Sequence, residues 1–113
     1  MPKDSSFVDY IVEDVLGHID GVRSRAMFGG WGIYLDAVIV GIIAEGVLYL
    51  KADKEMVGRY TVEGCEIFKY EGKKGKVISI SYMNVPIEVM EDRDRMEDRF
   101  YESYELSKKT KKK

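Results

Sequence analysis

Near its amino terminus, the chain has apolar residues at helical spacing. Ser6 and Asp9 resemble a capping box at the start of this pattern. The residues that recur three and four positions apart are Phe7, Val8, Ile11, Val12, Val15 and Leu16. This spacing predicts an amphipathic helix that ends at Gly17 or Gly21 and packs its apolar stripe on a sheet.

At residue 25 the pattern changes from helical to strand-like. The β-rich segments are residues 25–28, 33–35, 38–44 and 47–51. Short links separate them, namely residues 29–32, 36–37 and 45–46. Because links of this length join antiparallel neighbours, we predict a four-stranded meander. Its third strand is apolar on both faces and should be central, and Gly41 within it indicates a close backbone approach or a bulge.

The second half of the chain alternates between the two patterns. Asp53 is a suitable N-cap for a short helix, after which residues 66–70 and 76–83 read as the two strands of a hairpin. A final helical region is interrupted by the charged residues 91–95 and reaches about Leu106. The predicted order is therefore αββββαββα(α). This is the α+β class, with an antiparallel sheet and helices packed on it.

Charge is unevenly distributed along the chain. The 113 residues have a net charge of −2, but residues 1–107 hold 13 basic against 20 acidic side chains. We predict one acidic domain over residues 1–107 and a basic, disordered tail over residues 108–113. Because the acidic domain argues against a folded nucleic-acid surface, we expect contact with nucleic acid only through the tail. The candidate phosphate contacts are Lys108, Lys109, Lys111, Lys112 and Lys113.

The composition argues against several classes of function. The longest apolar run, Val38–Ala44, is far shorter than the roughly 20 residues that span a bilayer, and no secretory signal is visible, so we expect a cytoplasmic protein. A single cysteine, Cys65, and a single histidine leave no disulfide and no Cys- or His-rich metal site. Most carboxylates near the end of the chain alternate with arginines, which is typical of a solvated ion-pair surface. We expect no catalytic residue, metal or cofactor.

The segment RAMFGGWGIYLD, residues 25–36, places three glycines around a tryptophan. A phosphate-binding loop would place backbone amides at the start of a helix, often beside a lysine and a hydroxyl. Here the following residues read as a strand, so we expect the glycines to form a sheet corner. A ligand pocket beside Arg25 and Trp31 remains an alternative. Arg23 and Arg25 would either clamp an anion there or pair with neighbouring acids, and ion pairing is our expectation.

The aromatic content is high. Eight tyrosines, four phenylalanines and one tryptophan are more than one core of this size is expected to hide, and tyrosine is favoured at interfaces. Trp31 and Tyr34 at the corner, and Tyr101 and Tyr104 on the last helix, either form an interface or line the core and its rim. An apolar edge strand or the tyrosines of the last helix would also allow a homodimer.

Several motifs together resemble a known family, the TfoX N-terminal domain. The first is R-x-M-F-G-G-x-G-I-Y, matched by Arg25, Met27, Phe28, Gly29, Gly30, Gly32, Ile33 and Tyr34, with Trp31 at the variable position. The second is LYLKAD at residues 48–53, and residues 68–86 look like the family's later hairpin. The resemblance extends from about Phe7 to Leu106, nearly the whole chain.

This resemblance implies an α+β domain of the kind also seen in secretion chaperones, with no catalytic residues and no cofactor. In full-length relatives the domain precedes a helical C-terminal domain, and the proteins regulate genes for DNA uptake and competence, working with the transcription machinery. We therefore expect a stand-alone, non-enzymatic protein-interaction module, used as a transcription-related adaptor. Two alternatives remain: a nucleic-acid-binding regulator that uses the lysine tail, and a small-molecule-binding domain near residues 29–32.

Overall fold

The computed structural model describes residues 6–27 and 30–111, which form one antiparallel sheet and the helices that pack on it. The helical segments are α1 (Ser6–Tyr10) with a π-helical continuation (Ile11–Val15), α2 (Lys54–Val62), α3 (Ile87–Met90) and α4 (Arg93–Lys111). The strands are β1 (Val22–Met27), β2 (Gly30–Leu35), β3 (Val38–Ala44), β4 (Val47–Lys51), β5 (Ile67–Glu71) and β6 (Val77–Asn84). The predicted α+β class is confirmed.

All neighbouring strands are antiparallel, and their order across the sheet is β1-β2-β3-β4-β6-β5. Strands β1 to β4 form the predicted meander, and β5 with β6 form the predicted hairpin. The hairpin joins the meander through β6, where Met83 lies opposite Leu50 of β4. Strands β1 and β5 are therefore the two edges of the sheet.

Two-residue turns connect the central strands. Asp36 and Ala37, between β2 and β3, have φ angles of 52° and 64°. Glu45 and Gly46, between β3 and β4, have φ angles of 53° and 73°. Positive φ at both central residues is the signature of the type I′ turn, whose twist matches that of a hairpin. The short antiparallel links expected from the sequence are thus present.

Gly41 lies at a bulge in β3. Ile33 of β2 pairs with Gly41, but the next residue, Tyr34, pairs with Ile39, so Val40 is an extra residue on β3. A Cβ atom on Gly41 would lie 2.5 Å from the carbonyl oxygen of Tyr49 on β4. The expectation of a close approach or a bulge is therefore confirmed in both respects.

The main hydrophobic core lies between one face of the sheet and the helices α1 and α4. Its fully buried members include Ile11 from the π-helical turn, Ile33 and Leu50 from the sheet, and Met96 and Phe100 from α4. A smaller cluster under α2 contains Ala52, Met56, Cys65 and Met83. Both clusters lie on the same face, because residues at alternate positions of a strand share a side of the sheet.

A side-chain cap starts α2, as predicted. The backbone amide of Met56 donates to Asp53 Oδ1 at 2.9 Å, which satisfies one of the free amides of the first helical turn. A tight polar network then ties α2 to α4 and β4. Arg59 pairs with Glu102 at 2.6 Å, and the buried guanidinium of Arg99 lies 4.4 Å from the centre of the Tyr60 ring.

Some predicted boundaries are wrong. Strand β1 begins at Val22, three residues early, and β2 begins at Gly30, so the glycine segment is largely strand. The first helix is short and changes to π geometry, with Leu16 N donating to Ile11 O at 2.8 Å. Helix α4 continues to Lys111, so Lys108 and Lys109 are helical and not part of a disordered tail. The remaining tail positions, Lys112 and Lys113, lie outside the described residues.

Candidate functional site

The helices within residues 6–27 and 30–111 pack on one face of the sheet. We call the opposite side the open face, and in the described part of the chain none of its side chains belongs to either buried cluster. The register between strands places on it the large apolar side chains Tyr34, Ile39, Ile42, Tyr49, Phe68, Tyr70, Ile78, Ile80 and Tyr82. This surface combines aliphatic side chains with five aromatic rings.

The rings of the open face contact one another across strands. Tyr49 of β4 and Phe68 of β5 meet edge to face, with centroids 4.8 Å apart and planes at 70°. Phe68 and Tyr70 of β5 stack with centroids 6.0 Å apart and planes at 28°. Lys51 Nζ lies 5.4 Å from the centre of the Tyr82 ring, a cation–π contact. Tyr70 is 45% exposed, so one flank of this cluster is open to solvent.

An apolar cleft of about 440 Å³ runs along the open face. Its walls come from strands only, with Ile39 and Ile42 on one side and Phe68, Ile80 and Tyr82 on the other. A cleft of this size with apolar walls is the usual form of a binding surface. Lys51 brings a positive charge to its border through the contact with the ring of Tyr82.

A second cleft, of about 520 Å³, lies beside the edge strand β1. It is lined by Arg23 and Arg25, which are exposed, together with Tyr34, Asp36 and Ala37. Within residues 6–27 and 30–111 neither arginine forms an ion pair, so the expected pairing with a neighbouring acid is not seen there. Both side chains are exposed on the surface of the edge strand.

The glycines of the corner serve the sheet. Gly30 starts β2 opposite Ala44, and a Cβ atom on Gly30 would overlap the carbonyl oxygen of Ile43. Gly32 lies within the same strand, opposite Arg25. Because β2 leads into another strand and not into a helix, these glycines do not have the geometry of a phosphate-binding loop.

Other members of the predicted motif are separated. Arg25 lines the cleft beside β1, whereas Trp31 packs against the main core and borders the apolar cleft. The two residues therefore do not share the single pocket that the sequence suggested. Phe28, Gly29 and the side chain of Met27 lie outside the described part of the structure.

The two tyrosines predicted on the last helix have different environments. Tyr104 is only 9% exposed, and its hydroxyl donates to Asp36 Oδ2 at 2.7 Å. This hydrogen bond raises the pKa of Tyr104. Tyr104 is thus a packing residue that ties α4 to the β2–β3 turn, whereas Tyr101 is 37% exposed. Lys108 lies 4.9 Å from the centre of the Tyr104 ring, so this tail residue already has a contact within the domain.

Several residues of the open face were missed from the sequence. Tyr49, Phe68 and Tyr70 were not singled out, although the spacing of Phe68 and Tyr70 places both on one face of a strand. In the sequence, Ile78, Ile80 and Tyr82 alternate with serines, a pattern typical of a half-buried strand. Ile80 and Tyr82 do share a face, but it is the one without helices.

The polar chemistry of the described residues is otherwise structural. Residues 6–27 and 30–111 contain no group of three or more His, Cys, Asp or Glu side chains placed to bind a metal ion. No helix in this part of the chain is long and apolar enough to cross a membrane. Burial lowers the pKa of Arg99, whose guanidinium donates to Ser103 and to Leu50 O within the fold. This arginine therefore holds α4 against β4.

The fold is thus that of an α+β domain whose antiparallel sheet has helices on one face and a free aromatic surface on the other. The chain belongs to the TfoX N-terminal domain family, whose sequence pattern matches residues 14–107. It is also similar to the DNA transformation protein TfoX1 of Aliivibrio fischeri (strain ATCC 700601 / ES114), with 33% identity over 63 residues. That match covers 56% of this chain, and this chain spans about 30% of the length of that relative. The family resemblance seen in the sequence is confirmed.

Proposed function

We propose that this domain is a non-enzymatic protein-interaction module in the control of DNA transformation. Its membership of the TfoX N-terminal domain family and its similarity to a DNA transformation protein support this role. Its partner, in this proposal, belongs to the transcription machinery of the cytoplasm, and the domain acts as an adaptor between that machinery and the regulated genes.

The edge strand β1 is the observation that carries this proposal. Residues 23–26 are all exposed, and β1 pairs on one side only, with β2, among the described residues. The other side of an edge strand presents unpaired backbone N–H and C=O groups, which accept an extended peptide as an additional strand. Arg23 and Arg25 give this edge a positive charge, so an acidic segment of the partner would be attracted to it.

Proline substitutions on β1 test the proposal directly. In an antiparallel pair, successive residues alternate in pointing their backbone groups toward the neighbour or away from it. Of Ser24→Pro and Arg25→Pro, one therefore removes an amide that pairs with β2, and the other removes an amide at the free edge. Circular dichroism and thermal melting identify the variant that keeps the fold. Its matched control with an intact backbone is the alanine variant at the same position, Ser24→Ala or Arg25→Ala.

The folded proline variant, its alanine control and the wild-type protein would each be used to capture partners from nuclease-treated lysate of the source organism. We expect RNA polymerase or a transcription factor to be enriched by the wild type and by the alanine control, and to be lost with the folded proline variant. Equal enrichment with all three proteins would show that the edge is not the interface.

A genetic experiment tests the biological role. Deleting the gene in the source organism should lower the frequency of DNA transformation, and the wild-type gene should restore it. The folded proline variant should fail to do so. An unchanged frequency after deletion would refute the role in transformation, whereas full rescue by the proline variant would refute only the edge.

A further inference from the structure

Positive and negative charges are separated between the two layers of the fold. The strands and their turns, residues 22–51 and 66–84, contain seven basic and four acidic side chains. The remaining segments, residues 6–21, 52–65 and 85–107, contain five basic and 15 acidic side chains. The acidity that was attributed to the whole domain therefore comes from the helical layer, and the sheet layer is basic.

Basic side chains lie among the rings of the open face. Strand pairing places Arg23 beside Tyr34 and Arg25 beside Gly32, in rows that cross the sheet. Lys51 lies over the ring of Tyr82, closer to the middle of the face. Two acids, Glu45 and Glu66, act on one of the rings, that of Tyr49. After burial, which has the larger effect, these two carboxylates raise the pKa of Tyr49.

An exposed sheet that combines aromatic rings with basic side chains suits one class of ligand particularly well. Unstacked bases pack on aromatic faces, and the phosphates between them are neutralised by lysine and arginine. A duplex cannot stack on such rings, because its bases are already stacked on one another and only the edges of the bases are accessible, in the grooves. A purely apolar protein partner would leave the arginines and Lys51 without a counter-charge.

We propose that the open face binds single-stranded nucleic acid. Bases stack on Phe68, Tyr70 and the neighbouring rings, and phosphates lie along Lys51 and the two arginines of β1. This site uses the rings and basic side chains on the face of the sheet, whereas the proposed protein partner pairs with the backbone of the β1 edge. The two proposals share only the charges of Arg23 and Arg25. It also differs from contact through the lysine tail, because α4, which ends in the tail, packs on the opposite face.

Fluorescence anisotropy with the full chain provides the test. The probes are a labelled single-stranded DNA, a single-stranded RNA of the same sequence, and the corresponding DNA duplex. We expect the single strands to bind at least about tenfold more tightly than the duplex, and their affinity to fall as salt is raised. Comparison of the DNA and RNA probes shows whether the 2′-hydroxyl contributes.

Matched variants locate the site. Tyr70→Ala removes a ring that is 45% exposed and should weaken single-strand binding about tenfold. Tyr10→Ala removes a ring that is 39% exposed on α1 and should leave binding unchanged. Lys51→Ala should reduce the slope of log affinity against log salt by about one, whereas Arg93→Ala on α4 should not. Thermal melting of each variant confirms that the fold is retained.

Four results would overturn the proposal. The first is that neither single strand binds at low salt. The second is that the duplex binds as tightly as the single strands and Tyr70→Ala has no effect. The third is that replacing the tail lysines with alanine abolishes binding while Tyr70→Ala does not, which would assign the contact to the tail. Loss of a captured protein with Tyr70→Ala, without any loss of nucleic acid, would assign the face to a protein. Each edge proline variant should bind nucleic acid as its alanine control does, Ser24→Pro like Ser24→Ala and Arg25→Pro like Arg25→Ala, so this proposal can fail while the proposed function stands.

Discussion

Ala37 adopts a backbone conformation that favours glycine, at the second central position of the β2–β3 turn. Its φ angle is 64°, close to the 73° of Gly46, which has the same position in the β3–β4 turn. Both turns have positive φ at both central residues, so the two sites differ mainly in the presence of one methyl group. We predict that Ala37→Gly stabilises the domain and that Gly46→Ala destabilises it.

The size of this effect follows from two opposing terms. An L-residue in the left-handed region costs about 1–2 kcal/mol relative to the right-handed helical region. Glycine avoids that cost but loses about 0.5–1 kcal/mol more conformational free energy on folding. The difference predicts that Ala37→Gly raises the free energy of unfolding by about 0.5–1 kcal/mol. For a domain of this size, this corresponds to an increase in Tm of about 2–4 °C.

Differential scanning calorimetry and urea unfolding of both variants measure the effect. Side-chain contacts contribute little at either position, because Ala37 is exposed and a Cβ atom on Gly46 would have no atom within 4 Å. Gly46→Ala should therefore lower the free energy of unfolding by a similar amount, about 0.5–1 kcal/mol. If Ala37→Gly lowered the Tm while Gly46→Ala also lowered it, backbone strain at Ala37 would not be the controlling term.

Two other changes test the core and its polar network. Gly41→Ala should lower the free energy of unfolding by about 2–3 kcal/mol, because the new Cβ would lie 2.5 Å from Tyr49 O. A midpoint of urea unfolding equal to that of the wild type would contradict the bulge geometry. Burial, and then the hydrogen bond to Glu102, raise the pKa of Tyr60 from 10.0 to about 12. Between these two pH values the folded state keeps the proton of Tyr60, whereas the unfolded state releases it. The contribution of Tyr60 to the free energy of unfolding is therefore complete below pH 10 and is lost between about pH 10 and 12. Urea unfolding at a series of pH values should show that Tyr60→Phe loses less stability over that range than the wild type. If the free energy of unfolding fell equally steeply with pH in both proteins, the pKa shift would be contradicted.

Local signals in the sequence predicted most elements of the fold. Asp53 caps α2 through the Met56 amide, and the short links at residues 36–37 and 45–46 are two-residue turns. These features depend on a few consecutive residues, so a single sequence is enough to identify them. Gly41 was also recognisable, because a glycine within an apolar strand has few roles other than a bulge or a close approach.

Features set by distant contacts were harder to predict. Strand β1 begins at Val22 because its pairing with Leu35 continues past the glycine motif, and nothing local marks that start. The change to π geometry after Tyr10 has no residue signature in the sequence. Helix α4 continues beyond Leu106, where Lys108 forms an ion pair with Glu105 at 3.3 Å and a cation–π contact with the ring of Tyr104. The lysine run was interpreted by composition alone, without these partners.

The candidate site was predicted least well, for a reason that the sheet topology makes clear. Period-two alternation shows that a strand has two different faces, but not which face the helices cover. In β6, Ile80 and Tyr82 lie on one face, while Met83 lies on the other face, opposite the buried Leu50. Ile80 and Tyr82 therefore carry apolar side chains to the face without helices, a result that depends on how the whole sheet is placed under the helices.

The same limit explains why net charge was a poor guide to the surface. Charge was summed along the chain, which averages a helical layer with 15 acids and five bases with a sheet layer of opposite sign. A ligand encounters one face at a time, and charges farther away than about 10 Å are screened at ordinary ionic strength. The charges that matter for the open face are therefore those of Arg23, Arg25 and Lys51, together with the two carboxylates that act on Tyr49, Glu45 and Glu66. An acidic sequence is compatible with a basic binding surface whenever the acids belong to the helices on the far side of the sheet.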